Sequence, residues 1–392
     1  MEPLGRFYTS EAISDLLVSK FRQDSPRNIL DIGAGDGSLL IAAYNRWRNA
    51  TFHAAEIDPE SIAKISKTLP FVRLQHINGL SPGLDQKMNL KVNSVDVAIC
   101  NPPYLRIKNT LQTMLLLRET GFVNSLRLKR LTSDIVFLAQ NLFLLKAGGE
   151  LGIILPDSIF SGHEFFCLRE DLVTNNKING VIQLPDKIFY KTEARTHILL
   201  LEKGGKTNPV IPLYKSNARG ELEAPLYISK EEALQRMDYS YYWWKNQQRG
   251  TGPYSYLGDM GVEIKRGRSS KKVLRNAGIK FFHTSSFSFS NPIVKLENSS
   301  VPGELMAELG DILISRVGKR CIGRVAFVES GTQVISDCIY RVRTPAKYSQ
   351  IIWKALVSQE GKKWMEAHAH GVCSRCLSKK DLLAFPIPLS IS

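Results

Sequence analysis

The chain has 392 residues, 43% of them hydrophobic, and this length predicts at least two domains with sizeable cores. Its apolar stretches are too short to span a membrane, which argues against a membrane protein. Its first residues lack the regions of a signal peptide, and its six cysteines are scattered, which argues against a secreted protein held by disulfides. The sequence therefore predicts a cytoplasmic protein. The net charge of +15 is uneven, with +3 on residues 1–205 and +12 on residues 206–392, which favours a polyanionic partner such as nucleic acid, although a basic soluble protein without one fits the charge about as well.

Short apolar runs alternate with helical patterns in the first half of the chain. The runs cover 28–32, 51–57, 72–77, 95–100, 149–156, 179–185 and 196–203. Helical patterns, for example over 38–47 and 59–68, lie between them. This alternation predicts an α/β fold with a doubly wound, mostly parallel, seven-stranded sheet. The connection between the last two runs is too short for a helical crossover, so we expect the final strand to be antiparallel.

A glycine-rich turn follows the first apolar run, and an acidic residue ends the second. The segment "DIGAGDG" places Asp31, Gly33 and Gly35 at the end of the first strand, and glycines there let the backbone approach a ligand closely. Glu56 ends the second strand, where a carboxylate can accept hydrogen bonds from ribose hydroxyls. The carboxyl ends of parallel strands share one edge of a sheet, so the two features together predict a nucleotide-like cofactor.

The fourth apolar run leads directly into the segment "CNPPY". Its two prolines fix the backbone and remove two donors, so the loop displays two acceptors: the side-chain oxygen of Asn101 and the carbonyl of Pro102. Two acceptors suit an exocyclic amine, and the ring of Tyr104 offers a face for stacking on an aromatic base. Acceptors that hold both amine hydrogens direct the nitrogen lone pair toward an electrophile and stabilise the positive charge that develops.

A stretch rich in Gly, Pro and Asn after Lys203 predicts a domain boundary. We therefore expect a first domain over 1–205, a linker over 206–250 and an α+β domain over 251–392, with one helical pattern over 348–367. Basic residues cluster in this last domain and are predicted to neutralise phosphates or read guanine edges. They are Lys265, Arg266, Arg268, Lys271, Lys272, Arg316, Lys319, Arg320 and Arg324. For any single one of them, a solvated surface position is an equally good interpretation.

These motifs, in this order, resemble the N6-adenine DNA methyltransferases of bacterial restriction–modification systems, and the resemblance covers nearly the whole chain. It implies that the cofactor is S-adenosylmethionine. The segment "GRFYTS" (5–10) is similar to one that closes over the methionine end of the cofactor, which implies roles for Tyr8 and Thr9. "DIGAGDG" resembles the methionine-binding motif, "AEIDP" the ribose-binding motif with Glu56 and Ile57, and "NPPY" the catalytic motif, whose Asn101 would contact both cofactor and target base.

Two further residues follow from this resemblance. "QLPDKIFYKTEARTHILLLEK" resembles a segment in which a phenylalanine holds the target base, which implies this role for Phe189; an ordinary core position is the alternative. The family's third motif usually carries an Asp for the cofactor adenine, whereas "HINGL" places Asn78 there. An Asn oxygen can still accept a hydrogen bond, but it carries no charge.

The last part of the chain resembles one half of a type I specificity subunit, through "LGDMGVEIKRGRSSKK" (257–272) and "ELGDILISRVGKRCIGRVAFV" (308–328). This implies a target-recognition domain and double-stranded DNA as the partner. The types of residue in "HAHGVCSRC" would suit zinc, since they include His368, His370, Cys373 and Cys376. The resemblance places them at an ordinary turn, however, and we predict no metal site.

The sequence therefore predicts a methyltransferase that acts on the N6 amine of an adenine flipped out of duplex DNA. A methyltransferase for RNA adenine or for a protein glutamine is the first alternative, because "NPPY" suits those substrates as well. A DNA-specificity protein without activity is the second, and the presence of Asp31, Glu56, Asn101 and Tyr104 argues against it. No nuclease motif is visible, so any restriction endonuclease is expected to be a separate protein, and both a monomer and a dimer fit the sequence.

Overall fold

The computed structural model describes residues 9–186, 188–189, 195–206, 208–247, 253–288, 290–318, 321–371 and 375–389. The chain divides into two compact units, Met1–Tyr239 and Ser240–Ser392. The charge asymmetry follows this division, because residues 1–239 carry a net charge of +3 and residues 240–392 carry +12. Within the described residues, none of the helices combines the length and apolar character needed to cross a membrane.

The first unit consists of a central sheet, a short two-stranded ribbon and surrounding helices. Its strands are β1 (Asn28–Ile32), β2 (Thr51–Glu56), β3 (Arg73–His76), β4 (Val95–Cys100), β5 (Arg106–Ile107), β6 (Leu131–Thr132), β7 (Leu145–Pro156), β8 (Asn176–Gln183), β9 (Thr196–Lys203), β10 (Val210–Lys215) and β11 (Leu226–Ser229). Its helices are α1 (Glu11–Ser19), α2 (Ser38–Arg46), α3 (Pro59–Thr68), α4 (Leu84–Lys87), α5 (Leu111–Glu119), α6 (Ser133–Leu144), α7 (Asp157–Ser161), α8 (Phe166–Asn175) and α9 (Lys230–Gln235).

The strand order of the central sheet, as far as the structure describes it, is β11-β10-β8-β9-β7-β4-β1-β2-β3. Parallel pairs join β10 to β8, β7 to β4, β4 to β1, β1 to β2 and β2 to β3. The doubly wound, mostly parallel sheet is thus confirmed, and β9 runs antiparallel to both β7 and β8 as the short connection predicted.

The sheet is larger than the seven predicted strands, because β10 and β11 extend it to nine. Ile211 and Leu213 of β10 are fully buried, so their apolar surface drives this strand onto β8. The structure divides the chain after Tyr239, so β10 and β11, which fall within the predicted linker over 206–250, belong to the first unit. Gly204 and Gly205, which indicated a boundary, follow β9 in this unit.

A buried guanidinium also ties the later residues to the first unit. Arg169 of α8 is 1% exposed, and it donates hydrogen bonds to the carbonyls of Leu234 and Gln235, each at 2.9 Å. A further nitrogen donates to the carbonyls of Ile159 and Gly162, at 2.7 and 2.9 Å. Residues up to the end of α9 thus belong to the first unit in physical terms.

The second unit is α+β, as predicted. Its strands are β12 (Tyr254–Tyr256), β13 (Glu263–Arg266), β14 (Phe281–Phe282), β15 (Ile293–Lys295), β16 (Met306–Ala307), β17 (Ile312–Ser315), β18 (Val325–Ser330), β19 (Gln333–Ile335), β20 (Ile339–Arg343) and β21 (Pro386–Pro388). Its helices are α11 (Lys271–Asn276), α12 (Ala346–Val357), α13 (Gln359–His368) and α14 (Lys379–Leu383), and α10 (Tyr239–Gln247) begins at the boundary. The main sheet has the order β13-β20-β17-β18-β15.

The predicted helix over 348–367 is two helices, α12 and α13, which meet at Ser358. The Ser358 hydroxyl accepts a hydrogen bond from the backbone N–H of Gly361 at 2.9 Å and so caps the start of α13. A single continuous helical pattern in the sequence does not reveal this interruption, because the apolar spacing continues on both sides of it.

Candidate active site

A cleft lies at the edge of the central sheet where β1, β2 and β4 end. The space between its walls, including the part that is open to solvent, is about 930 Å³. Seven residues predicted to bind the cofactor line it: Thr9, Gly33, Gly35, Glu56, Ile57, Asn78 and Asn101. Tyr8, the remaining residue of the predicted closing segment, lies outside the described residues.

The glycine-rich turn forms one wall of this cleft. Gly33 and Gly35 have φ values of +76° and +57°, a left-handed conformation that glycine adopts without steric cost. A side chain at Gly33 would also come within 3.0 Å of the Phe137 ring. Gly79 on the neighbouring loop approaches the same ring, because a Cβ there would lie 2.7 Å from Phe137 and 2.6 Å from Ile32. The glycines therefore let two loops close onto the Phe137 ring.

Asp31 is a buried carboxylate without a partner. Its side chain is 1% exposed, and neither oxygen has a hydrogen-bond partner within the described residues. Burial, with the nearby carboxylates of Glu56 and Asp36, raises the pKa of Asp31 well above its usual range. Asp31 is not one of the residues that line the cleft, so its predicted contact with the cofactor stays a prediction. An unpaired carboxyl group suits a cationic ligand, and the ammonium group of S-adenosylmethionine has this character.

Glu56 has hydrogen bonds to three backbone groups. One oxygen accepts from the N–H of Gly35 at 2.7 Å, and the other accepts from the N–H groups of Ile57 and Asp58 at 2.7 and 2.8 Å. A carboxylate offers about four acceptor directions, so little capacity is left for further donors. Glu56 thus holds the glycine turn in place, and a grip on two ribose hydroxyls would need one backbone bond to open.

Asn78 is exposed on the loop after β3. Its side-chain oxygen accepts a hydrogen bond from the N–H of Leu80 at 3.0 Å, which shapes the loop. The same oxygen has a second lone pair that a ligand amine could use. Asn78 therefore lines the cleft, and its side chain also holds the loop through the hydrogen bond from Leu80.

Asn101 is held at the cleft by two neighbours. Its amide nitrogen donates a hydrogen bond to the hydroxyl of Thr9 at 3.0 Å, and its oxygen accepts a long one from Tyr104 at 3.4 Å. The Tyr104 hydroxyl also contacts the carbonyl of Ile154 at 3.3 Å. Burial, with the nearby carboxylate of Asp134, raises the pKa of Tyr104 well above its usual range, so the phenol stays neutral and donates.

The loop that follows Asn101 is held by the first residue of α6. The Ser133 hydroxyl donates to the carbonyl of Pro103 and accepts from the N–H of Leu105 at 2.8 Å. The N–H of Ser133 in turn donates to the carbonyl of Leu105 at 2.8 Å. Pro102 is buried, and within the described residues its carbonyl accepts no hydrogen bond. Pro102 does not line the cleft, so its role as the second acceptor stays a prediction.

Phe189 lies in the hydrophobic core of the first unit. It is 2% exposed and belongs to a cluster with Leu184, Ile182 and Ile198, and it does not line the cleft. In this conformation the ring has no exposed face for a base, so Phe189 occupies an ordinary core position in this structure. Its role in holding a base stays a prediction and would require the ring to leave this cluster.

Several basic residues of the second unit are bound within that unit. Arg266 pairs with the Asp337 carboxylate at 3.0 Å, and Arg268 donates to the carbonyl of Gly303. Arg316 donates to the Asp337 carbonyl at 3.1 Å.

The other basic residues of that set differ in exposure. Lys265 pairs with Glu263 at 2.6 Å. Lys272 is exposed, while Lys271 and Arg324 are half-buried. Lys319 and Arg320 lie outside the described residues.

The His and Cys residues of "HAHGVCSRC", whose types would suit zinc, have other contacts where the structure describes them. The ring of His368 stacks on Trp364 with centroids 3.6 Å apart, and its Nδ1 lies 2.8 Å from the Trp364 carbonyl. His370 and Cys376 exchange backbone hydrogen bonds, at 3.1 and 2.8 Å. Cys373 lies outside the described residues.

Sequence reasoning missed several residues that line the cleft. They are Ala34, Asp36, Ser38, Leu39, Ile77, Gly79, Leu80, Pro103, Leu105 and Phe137. Most of them flank a predicted residue and could have been included on that ground. Phe137 could not, because its position depends on how α6 packs beneath the glycine turn.

The comparisons with known proteins agree with this architecture. The family model described as N-6 DNA Methylase matches residues 2–255. The type II methyltransferase M.BsuBI of Bacillus subtilis is 30% identical over 226 residues, which are 51% of this chain and 44% of that protein. The methylase subunit of the type I restriction enzyme MpnII of Mycoplasma pneumoniae is 25% identical over 239 residues, 54% of this chain and 43% of that protein. The chain thus spans about half the length of the curated relatives it matches.

A solved structure extends the likeness in fold. The type IIG restriction endonuclease BpuSI aligns over 96% of this chain and 57% of its own, with a TM-score of 0.52 and 14% identity. The family match covers well over half of the chain and includes the whole glycine turn and the "NPPY" loop. By this match, the chain belongs to the N-6 DNA methylase family.

Proposed function

We propose that the chain is an S-adenosylmethionine-dependent DNA methyltransferase that modifies the N6 amine of an adenine flipped out of duplex DNA. The observation that carries this proposal is the placement of Asn101, which lines the cleft with its amide held between Thr9 and Tyr104. The unpaired carboxyl group of Asp31 supports the choice of a cofactor with a cationic end.

S-adenosylmethionine, when bound, supplies an electrophilic methyl group. Asp31 would hold the ammonium group, Glu56 the ribose side and Asn78 the adenine side, with Gly33, Gly35 and Ile57 lining the cleft between them. Asn101 and the carbonyl of Pro102 would each accept one hydrogen of the target amine and direct its lone pair toward the methyl group. Tyr104 would stack on the target ring through its ring face, since its hydroxyl already contacts Asn101 and the carbonyl of Ile154.

The second unit is proposed to recognise the target sequence in double-stranded DNA, with its +12 charge as the main support. Any restriction endonuclease would be a separate partner. The basic residues that remain candidates for direct contact are those whose donors are not used within the unit, such as Lys272.

The test is methyl transfer from tritiated S-adenosylmethionine to duplex DNA, followed by digestion and identification of the labelled nucleoside. We expect N6-methyladenine from wild type and no label from Asn101→Ala, which should still bind the cofactor. The matched control is Asn49→Ala, at an exposed position in the loop before β2, which should behave as wild type. Label in RNA or protein but not in DNA would overturn the choice of substrate, and full activity of Asn101→Ala would overturn the mechanism.

A further inference from the structure

One segment of the first unit leaves the sheet directly after the "NPPY" loop. Residues 105–132, here called the basic insertion, run from Leu105, which lines the cleft, to the residue before α6. The insertion closes on itself where β5 pairs with β6, with Arg106 opposite Thr132. Its start is fixed by the hydrogen bonds of Ser133, so it emerges from the rim of the cleft.

The insertion carries the positive charge of the whole first unit. It holds six Lys and Arg residues and one Glu, a net charge of +5, whereas the remaining residues of 1–239 hold 23 Lys and Arg against 25 acidic residues, a net charge of −2. The six cations are Arg106, Lys108, Arg118, Arg127, Lys129 and Arg130, and all are exposed.

Most of these cations have no anionic neighbour. Arg127 pairs with Glu170 at 3.5 Å and with the Asn124 side chain at 2.7 Å. For the other five, the described residues provide neither an ion pair nor a side-chain hydrogen bond. This contrasts with Arg266 and Arg316 of the second unit, whose guanidinium groups are bound to Asp337.

The short ribbon brings like charges together. Because Ile107 pairs with Leu131, the next positions along the two strands are Lys108 and Arg130, with Arg106 two residues away on the first strand. Like charges in such positions repel one another, and a bound polyanion would relieve this repulsion.

The helix of the insertion adds exposed apolar side chains. Leu111, Met114 and Leu115 of α5 are 69%, 43% and 46% exposed, and their spacing places them on one face. Nucleic-acid-binding proteins also place apolar side chains against bases, so this row is consistent with a DNA-contact surface, and the five unpaired cations of the insertion favour a polyanion as the partner.

We propose that the basic insertion is a DNA-contact surface of the first unit, which binds the phosphates beside the target base as that base enters the cleft. The proposal rests on the proposed function, and it adds a phosphate-binding site in the catalytic unit to the one expected in the second unit. It assigns the electrostatic contact nearest the reaction to Arg106, Lys108 and Arg130.

The test compares two triple variants of the full chain. Arg106→Gln/Lys108→Gln/Arg130→Gln removes three charges from the insertion. Lys67→Gln/Lys87→Gln/Lys91→Gln removes three exposed charges elsewhere in the same unit and serves as the matched control. The affinity for a mixed-sequence duplex is measured against salt concentration, together with S-adenosylmethionine affinity and thermal unfolding.

In the insertion variant, we expect the negative slope of log affinity against log salt to become shallower by about 0.9 for each lost phosphate contact. In the control, the slope should stay at the wild-type value. The DNA concentration for half-maximal methylation should rise in the insertion variant, while cofactor affinity and unfolding temperature stay unchanged. A wild-type slope and wild-type DNA dependence in the insertion variant would overturn the proposal. Absence of methyl transfer by the wild type would instead overturn the proposed function. The two failures can be distinguished, because the salt dependence of DNA binding is measured without turnover.

Discussion

At the scale of single residues, the first unit contains two buried carboxyl groups with raised pKa values. Asp31 and Asp134 are each 1% exposed, and the oxygens of Asp31 have no hydrogen-bond partner within the described residues. Burial raises the pKa of both groups, and for Asp134 the Thr132 side chain and the backbone N–H of Asp134 lower the pKa again in part. Both residues lie beside parts of the candidate active site, the glycine turn and the loop of Tyr104.

We predict that Asp31→Asn stabilises the protein without ligand and weakens binding of S-adenosylmethionine. The substitution removes the free-energy cost of burying an ionisable carboxyl group without a partner, but it also removes the group assigned to the cofactor ammonium. Calorimetry should give a cofactor affinity at least tenfold lower, and thermal unfolding of the free protein should occur at a higher temperature. Unchanged affinity would contradict the assignment, and Asp24→Asn, at an exposed carboxylate before β1 that does not line the cleft, is the control.

A second prediction concerns the pH dependence of stability. Burial raises the pKa of Asp134 to about 6 in the folded protein, from an ordinary value of 3.8. Its stabilising contribution is therefore fully present below about pH 4 and is lost as pH rises through 6, a change of about 3 kcal/mol. Urea unfolding should show this loss in wild type and a flatter profile in Asp134→Asn.

The control for this experiment is Asp171, an equally buried carboxylate that accepts hydrogen bonds from Ser125 at 2.6 and 2.7 Å. Asp171→Asn should destabilise the protein at neutral pH, which is the opposite sign. Identical pH profiles for wild type and Asp134→Asn would contradict the raised pKa of Asp134.

At the scale of elements, the sequence predicted those features that depend on local pattern. Apolar runs located β1, β2 and β4, and a short connection predicted the antiparallel β9. The position of β10 in the sheet depends on its pairing with β8, which is distant in the chain. The glycines and prolines near β10 indicated a domain boundary instead.

The same limit applies to side chains. The pairing of Arg266 with Asp337, 71 residues away, and the burial of Phe189 arise from long-range packing that no local pattern encodes. Asn101 could be predicted because two prolines fix its surroundings within the loop itself.

The close approach of β13 to its neighbours gives a prediction at this scale. A side chain at Gly267, just after β13, would lie 2.2 Å from the carbonyl oxygen of Ser336, and backbone cannot move away easily. Gly267→Ala should therefore destabilise the second unit by several kcal/mol, roughly as overpacking does at its worst. Gly278→Ala, where a Cβ meets nothing within 4 Å and only the φ of +68° is strained, should cost about 1 kcal/mol.

Unfolding followed by tryptophan fluorescence would measure both variants, since Trp353 and Trp364 lie in the second unit. Binding of S-adenosylmethionine should persist in each, because the cofactor cleft belongs to the first unit. Equal stability of the two variants would show that the backbone around Ser336 yields to the added methyl group.

At the scale of the whole molecule, the structure corrects where the first unit ends, and this changes what a fragment should do. A fragment of residues 1–239 should fold and bind S-adenosylmethionine, whereas one of residues 1–205 should not. The shorter fragment loses the pairing of β10 with β8 and leaves the Arg169 guanidinium without the carbonyls of Leu234 and Gln235. Calorimetric titration of both fragments is the measurement, and cofactor binding by the shorter one would contradict this boundary.

The edges of the central sheet bear on solubility. It ends in β3 and β11, strands of four residues each, and three of the four residues of β3 are exposed, among them Arg73 and His76. Short edge strands are poor templates for pairing with another molecule, and the exposed polar residues of β3 add to this effect. The eight residues of β8 are mostly buried, so a chain cut before β10 would present a long apolar edge to its copies. The β10–β11 pair therefore also protects the sheet against aggregation.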